Sequence, residues 1–272
     1  MAKTKNEVAV TAKEFNLVTI SGDLAAAVEE EMDGLGAIPF DRVKIPSGGG
    51  LAFELPGEEE DETESATELI GVILDHNPVN AYWANKFAGG NEQPDCSSFD
   101  GKQGVDRLTG EIKSCETCPH NKFESDGSGK ACKNVHRVFM LQEGNPVPLI
   151  LSLPPTSLKY MRNYIAKRVL LKGFRCWQVL TKITLKKEKS KDNITYSRAA
   201  FAFVDKLTPE QEKQAEAMRE LVKNIYRNIN IDTDDYNRAP VEGTGEPTGE
   251  PRADAEGFMQ VPEGANEELP FN

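Results

Sequence analysis

Alternating apolar and polar positions predict that β-strands predominate in the centre of the chain. Residues 40–46 and 51–55 are short β-type runs on either side of a Ser-Gly-Gly-Gly turn, which is the pattern of a hairpin. The apolar run at residues 68–75 predicts a buried strand that ends at Asn77-Pro78. Later runs predict further strands at residues 135–142, 147–153, 174–185 and 194–204.

Helical patterns flank these strands and interrupt them once. Residues 23–31 predict a short helix, and residues 156–171 predict a longer one that ends at Gly173. A third helix is predicted from an N-cap at Thr208 to about residue 229. It has proline at its first position and glutamine three residues after the cap, which is a capping-box pattern.

Three stretches lack such periodicity. Residues 54–68 are rich in acids and contain no base, so we interpret them as a solvated loop. Residues 89–134 are rich in Gly, Ser and Asp and hold four of the five cysteines. They contain too few apolar side chains to fold without an additional source of stability. Residues 231–272 are rich in Gly, Pro and acids, and we expect them to be disordered.

The order of these elements predicts an α+β fold that is mainly β. We expect an OB-fold-like, partly open β-barrel with an inserted zinc-binding subdomain, flanking helices and a disordered acidic tail. The expected units are a leader with a short helix at 1–35, a core at 36–206 with the insertion at 89–134, a helix at 207–230 and the tail at 231–272.

The chain has 272 residues, which is enough for one sizeable domain or two small ones. Its N-terminal residues lack the apolar run of a secretory signal. It also lacks the roughly 20 consecutive apolar residues that a membrane span needs. We therefore expect a cytoplasmic protein with no membrane partner.

The clustered cysteines predict a metal site. Cys96, Cys115, Cys118 and Cys132 are separated by 18, 2 and 13 residues. A Cys-x-x-Cys turn with two further cysteines can enclose one zinc ion in a tetrahedral site, which is structural because no coordination position stays open. Four unrelated thiols and a redox pair are the alternatives. His120 and His136 are rival ligands, either of which could replace a cysteine.

Charge is distributed unevenly along this acidic chain, whose formal net charge is −12. Residues 151–206 contain thirteen bases and three acids, a local charge of +10. Residues 231–272 contain eleven acids and two bases, a local charge of −9. A basic segment is often only a solvated face, but here aromatic residues are interleaved with the bases, as in single-strand grooves.

Strand alternation selects the candidate DNA contacts. In the strand predicted at 174–185, one face carries the lysines, whereas Trp177 lies on the face that we assign to packing. The candidate contacts are Lys182, Lys186, Tyr196 and Arg198, with Tyr82 and Trp83 as a second stacking pair.

The chain ends in Glu267-Glu268-Leu269-Pro270-Phe271-Asn272. This acidic end resembles the tail tip of bacterial single-stranded-DNA-binding proteins, which closes with Pro-Phe and docks partner enzymes. Asn272 departs from that pattern, because it follows the phenylalanine. An ordinary solubilising tail is the alternative.

A wider resemblance joins these features. The run from Cys115 to Phe123, the segment Gly129–Asn134, Val79–Trp83 upstream and the acidic end together resemble a family of phage and mobile-element single-stranded-DNA-binding proteins. The resemblance implies a cysteine zinc site inserted in an OB-type core, a host-cell cytoplasmic location, and a role in DNA replication or recombination.

No motif for catalysis is present, since the chain lacks GxxxxGK[ST], GxSxG and HExxH sequences. We therefore expect a non-enzyme. The first hypothesis is sequence-tolerant binding and protection of single-stranded DNA, with replication or recombination proteins recruited through the tail. The alternative is a zinc-ribbon adaptor or duplex-DNA regulator that acts mainly through protein contacts. An annealing recombinase is a third, weaker hypothesis.

Overall fold

A computed structural model of the chain describes residues 11–18, 26, 30–35, 40–57, 62–85, 93–127, 129–190, 193–224 and 231. Within these residues the fold is α+β and mainly β, with a nine-stranded mixed sheet, a two-stranded sheet and two helices of defined bounds. In this part of the chain no helix has the length and apolar character needed to cross a membrane.

The strands are β1 (Arg42–Val43), β2 (Phe53–Pro56), β3 (Thr63–Ala66), β4 (Glu68–Tyr82), β5 (Cys96–Ser98), β6 (Gln103–Asp106), β7 (Ile112–Ser114), β8 (Lys133–Gln142), β9 (Leu149–Leu153), β10 (Val179–Lys189) and β11 (Thr195–Lys206). The helices are α1 (Pro155–Tyr164) and α2 (Pro209–Asn224). The large sheet runs β1-β9-β8-β4-β5-β6-β7, and β10 joins it by pairing with both β4 and β11. Every pair in it is antiparallel except β1 with β9.

Apolar packing covers part of each face of the large sheet. On one face, Ile73, Val138 and Ile183 pack with β1, β2 and Met161 of α1. On the other face, β4, β8 and β9 contact the N-terminal segment and α2, for example through Phe15. The long strand β4 therefore lies between two cores, which fixes the positions of its neighbours β8 and β10.

The hairpin predicted at residues 40–46 and 51–55 is confirmed. Lys44 and Glu54 exchange two backbone hydrogen bonds, of 2.9 and 3.1 Å. The solvated loop predicted at 54–68 is wrong for Thr63–Ala66, because these residues pair antiparallel with β2. Their side chains are largely exposed, so backbone pairing alone holds the strand. The sequence therefore lacks the apolar alternation that would have predicted it.

The strand end predicted at Asn77-Pro78 is also wrong, since β4 continues through both residues to Tyr82. β10 pairs with β4 only up to Gly71, and β5 begins to pair only at Asn80. Between these points β8 is the one strand among the described residues that pairs with β4. Proline is tolerated there because its missing N–H is not needed by a second strand.

The helix predicted at 156–171 is confirmed over its length, but only its first part is α-helical. α1 passes into a π-helical turn at Ile165–Val169 and then into a 3-10 turn at Leu170–Lys172. Gly173 ends it with φ of 81°, a left-handed conformation that favours glycine.

The strand predicted at 174–185 begins later than expected. Cys176–Gln178 is a 3-10 turn, and β10 starts at Val179. A register shift between Leu180 and Thr181 changes which face each side chain occupies. Trp177 is buried, as predicted, but it packs in the core on the α2 side, whereas Ile183 packs on the opposite side.

The capping box of α2 is confirmed. Gln211 donates its backbone N–H to the Thr208 hydroxyl at 3.3 Å, and the Thr208 N–H donates to the Gln211 side chain at 2.9 Å. The predicted end of this helix near residue 229 and most of the leader helix lie outside the described residues. So does the tail predicted at 231–272, except Ile231, which packs against Trp83.

Candidate nucleic-acid interface and cysteine cluster

Four of the predicted DNA-contact residues share one face of the β10–β11 hairpin. Lys186 lies directly opposite Arg198, and Glu188 lies opposite Tyr196. Lys182 lies four residues before Lys186 on the same strand, and side chains two and four apart point to one side. We call Lys182, Lys186, Tyr196 and Arg198 the basic face.

The carboxylate of Glu188 connects two residues of the basic face, Tyr196 and Arg198. Arg198 Nε donates to Glu188 Oε1, and the hydroxyls of Tyr160 and Tyr196 donate to Glu188 Oε2, each at 3.2 Å. The Arg198 guanidinium also lies 3.7 Å from the centre of the Tyr160 ring, a cation–π contact. We call Tyr160, Glu188, Tyr196 and Arg198 the Glu188 cluster.

The hydrogen bonds of the cluster set its protonation. The bond from Arg198, with its positive charge, holds the pKa of Glu188 below its ordinary value. Desolvation raises the pKa of Tyr196, and the negative charge of Glu188 raises it further. Glu188 is therefore ionised at neutral pH, and the Tyr196 phenol stays protonated as a donor.

The remaining two cations of the basic face differ in their partners. Lys182 Nζ lies 3.2 Å from a carboxylate oxygen of Glu68 at the end of β4. Lys186 is exposed, and among the described residues it has no ion-pair partner. Of the three cations on the basic face, Lys186 is therefore the one without a neighbouring carboxylate among the described residues.

Helix α1 places Tyr160 against this face by covering the outer edge of β11. The backbone N–H of Ala199 donates to the Ser157 hydroxyl at 3.0 Å, in a fully buried position. One turn beyond Tyr160, the hydroxyls of Tyr164 and Thr181 are 2.6 Å apart, and burial raises the pKa of Tyr164 to about 12. At Ala199 the edge of β11 is thereby satisfied by a helix rather than left open.

The four predicted zinc ligands come from different elements that meet at one place. Cys96 begins β5, Cys115 follows β7, Cys118 precedes a 3-10 turn at Pro119–Asn121, and Cys132 precedes β8. Burial, with smaller contributions from the other three thiols, raises the pKa of Cys132 to about 12. The four thiols are therefore close enough to interact electrostatically, and we call them the cysteine cluster.

Gly104 packs directly against this cluster. A Cβ atom at Gly104 would lie 2.9 Å from Cys96 Sγ and 3.7 Å from Cys115 Sγ. The missing side chain therefore leaves space beside two of the sulfurs. All four thiols are free of disulfide bonds. Neighbouring thiols need a cation in order to ionise together, which is the chemistry that zinc supplies.

The backbone around the cluster is tied by polar contacts. Asn121 Nδ2 donates to the carbonyl of Cys115 at 2.8 Å, and the Cys132 N–H donates to the carbonyl of His120 at 2.8 Å. The His120 ring stacks on Tyr82 at 4.1 Å. Tyr82 thus belongs to the surroundings of the cysteine cluster and lies apart from the basic face in the fold.

Within the described residues, no group of three or more His, Cys, Asp or Glu side chains stands in a ready metal-binding arrangement. Of the rival ligands, His136 lies beside His76, with 2.9 Å between His76 Nδ1 and His136 Nε2.

The other predicted site residues lie elsewhere. Trp83 is only 8% exposed and packs with Val79, Ala81 and Ile231, so its ring serves a small core. The predicted partner-binding residues Glu267 to Phe271 lie outside the described residues.

Sequence reasoning left out two residues of the Glu188 cluster. Tyr160 lies on a helix, so strand alternation gives no information about it. Glu188 is one of three acids in the basic segment 151–206. An isolated acid among many bases indicates a specific contact with one of them, and this signal could have identified Glu188.

Comparison with family models, curated proteins and solved structures gave no match to this chain. The functional interpretation therefore depends on the chemistry of the basic face and the cysteine cluster.

Proposed function

We propose that the protein binds single-stranded DNA with little sequence preference, protects it during replication or recombination, and recruits partner proteins through its acidic C-terminal segment. The observation that supports this most strongly is the basic face, on which three cations and Tyr196 are brought together on one hairpin. Cations hold phosphates and aromatic rings stack on bases of any sequence, which is the combination used by single-strand grooves.

The carboxylates on this face are compatible with DNA binding. Ion pairs between partly exposed side chains contribute only about 0–1 kcal/mol, so a phosphate can replace a carboxylate at little cost. In the Glu188 cluster one anion is held by Arg198 and two phenol hydroxyls. A DNA phosphate offers negative charge and acceptor oxygens to the same donors once the Glu188 side chain turns away.

An OB-type barrel is the architecture that we propose for the core. Strands β1, β4, β8, β9, β10 and β11 contribute to one shared apolar cluster, as in a curved or closed sheet. An isolated bridge from Ser47 to Tyr196 links the turn after β1 to the far strand β11. Both features support a partly open barrel.

We further propose one structural zinc ion held by Cys96, Cys115, Cys118 and Cys132. The clustered free thiols and the space beside Gly104 support it. Zinc would stabilise a segment whose strands β5, β6 and β7 have only three or four residues each.

One observation favours the second candidate, a zinc-ribbon adaptor. Val105 and Ile112, which pair across β6 and β7, are 46% and 65% exposed, and Leu108 between them is 80% exposed. Exposed apolar side chains on a small hairpin are suited to protein contact.

Binding of labelled oligo-dT and of a duplex of equal length, measured by fluorescence anisotropy, separates these candidates. Single-strand binding predicts much tighter association with oligo-dT. Equal affinity for both DNA forms, or no binding of either, would favour the adaptor.

A further inference from the structure

A cavity of about 470 Å³ lies between α1 and strands β4 and β8, on the side of α1 away from Tyr160. Its volume is within the range of small-molecule sites, about 300–1,000 Å³. Its lining is mainly apolar, with contributions from Leu158, Met161, Ile165 and Leu170. Of these, Leu170 is 57% exposed, so the cavity is accessible from solvent beside it.

The backbone at the edge of this cavity is unusual. Ile165 and Ala166, which line it, belong to the π-helical turn that follows α1. Single π-helical turns are rare, and they occur frequently at functional sites. The turn widens the helix at the position where it faces the cavity.

Two histidines supply polar groups inside the apolar lining. His76 on β4 and His136 on β8 are diagonal neighbours across the strand pair, with 2.9 Å between their ring nitrogens. One of these nitrogens donates its N–H to the other, and the tautomers of the two rings decide which is the donor. The two rings, with centroids 5.0 Å apart, present flat surfaces and polar edges to a ligand.

The rim of the cavity is positively charged. Lys159 and Arg162 line it, and both are exposed. Neither has an ion-pair partner within the part of the chain that the structure describes. No acidic side chain is among the described residues that line the cavity. The site therefore suits a ligand that joins an apolar, flat body to an anion.

We infer that this cavity binds one nucleotide, with the base between the histidines and the apolar wall and the phosphate on Lys159 and Arg162. The inference rests on the proposed function, because the same helix carries Tyr160 of the Glu188 cluster. A strand that crosses the basic face can continue over α1 and place a base in the cavity. A fatty acid also has an apolar body and an anion, but its chain has no polar edge for two imidazoles.

Calorimetry on the full-length protein tests this with dAMP, deoxyadenosine and decanoate as separate probes. Ala166→Trp fills the cavity, and Ala217→Trp on the exposed side of α2 is its matched control. Arg162→Gln removes a rim charge, with Lys213→Gln on α2 as control. Thermal unfolding of each variant shows whether it folds like the wild type.

We expect wild type to bind dAMP with a dissociation constant below about 1 mM, and saturating oligo-dT to displace it. Ala166→Trp should abolish dAMP binding, whereas Ala217→Trp should retain it. Arg162→Gln should weaken dAMP binding about tenfold and leave deoxyadenosine nearly unaffected, because only dAMP carries the phosphate.

Different failures overturn different claims. If oligo-dT binds but dAMP does not, or if Ala166→Trp and Ala217→Trp behave alike, the nucleotide cavity is refuted and single-strand binding stands. Binding of decanoate in place of dAMP refutes it as well. If dAMP binds at the cavity and oligo-dT does not bind at all, the cavity stands and the proposed function falls.

Discussion

Replacing Lys186 with alanine tests the basic face at the cation that has no ion-pair partner among the described residues. Lys186 is exposed and has no ion-pair partner among the described residues, whereas Lys182 lies 3.2 Å from Glu68 and Arg198 is held by Glu188. Within the part of the chain that the structure describes, loss of the lysine therefore frees no carboxylate. Its effect on DNA binding reports phosphate contact alone.

The size of the effect follows from counterion release. Each phosphate contact with a single strand contributes about 0.7 to the slope of log affinity against log salt concentration. Three contacts, from Lys182, Lys186 and Arg198, give a slope of about −2.1, so affinity falls roughly 18-fold between 50 and 200 mM salt. Without Lys186 the slope becomes about −1.4, and the same change of salt costs roughly 7-fold.

Fluorescence anisotropy of labelled oligo-dT over this salt range measures both slopes. Lys213→Ala on α2 removes the same charge from an exposed helical position and should leave the slope unchanged. Heteropolymer strands should respond to Lys186→Ala as oligo-dT does, because phosphate contacts are independent of sequence. A Lys186→Ala slope equal to that of the wild type would refute the placement of DNA on this face.

Three further predictions concern the parts that support the face. Ser157→Ala leaves the buried N–H of Ala199 without its acceptor, so urea unfolding should show a loss of about 1–3 kcal/mol. Cys115→Ser should abolish the zinc that we expect to copurify at about one ion per chain, as measured by elemental analysis, and should increase hydrogen exchange in β5 to β7. Deleting residues 232–272, whose local net charge is −9, should raise DNA affinity at low salt, since a tethered anion competes with DNA. Phe271→Ala should leave that affinity unchanged and weaken partner binding in pull-down assays.

Strand alternation predicted the basic face because its physical basis is local. Side chains along β10 and β11 alternate with a period of two, so Lys182 and Lys186, or Tyr196 and Arg198, share a side wherever the strand is regular. The same rule misplaced Trp177, because a 3-10 turn and a register shift separate it from Thr181. Neither irregularity has a clear signature in the sequence.

The features that could not be predicted from the sequence all depend on tertiary contacts. Asn77-Pro78 resembles a strand end until the neighbours of β4 are known, and these depend on the order of the whole sheet. The pairing of His76 with His136 depends on the register between β4 and β8. Tyr160 reaches the basic face because α1 packs along β11, which no periodicity within α1 indicates. The grouping of the four cysteines, in contrast, was predicted from their spacing in the sequence alone.

Photochemical crosslinking gives the most direct test of single-strand binding at the basic face. Full-length protein bound to 5-iododeoxyuridine-containing oligo-dT is irradiated, digested and mapped by mass spectrometry. We expect crosslinks at Tyr160 and Tyr196, because these rings lie beside the cations that hold phosphates, and we expect Tyr196→Phe to retain its crosslink by stacking. Crosslinks confined to the exposed β6–β7 hairpin, with none on α1, β10 or β11, would contradict the account.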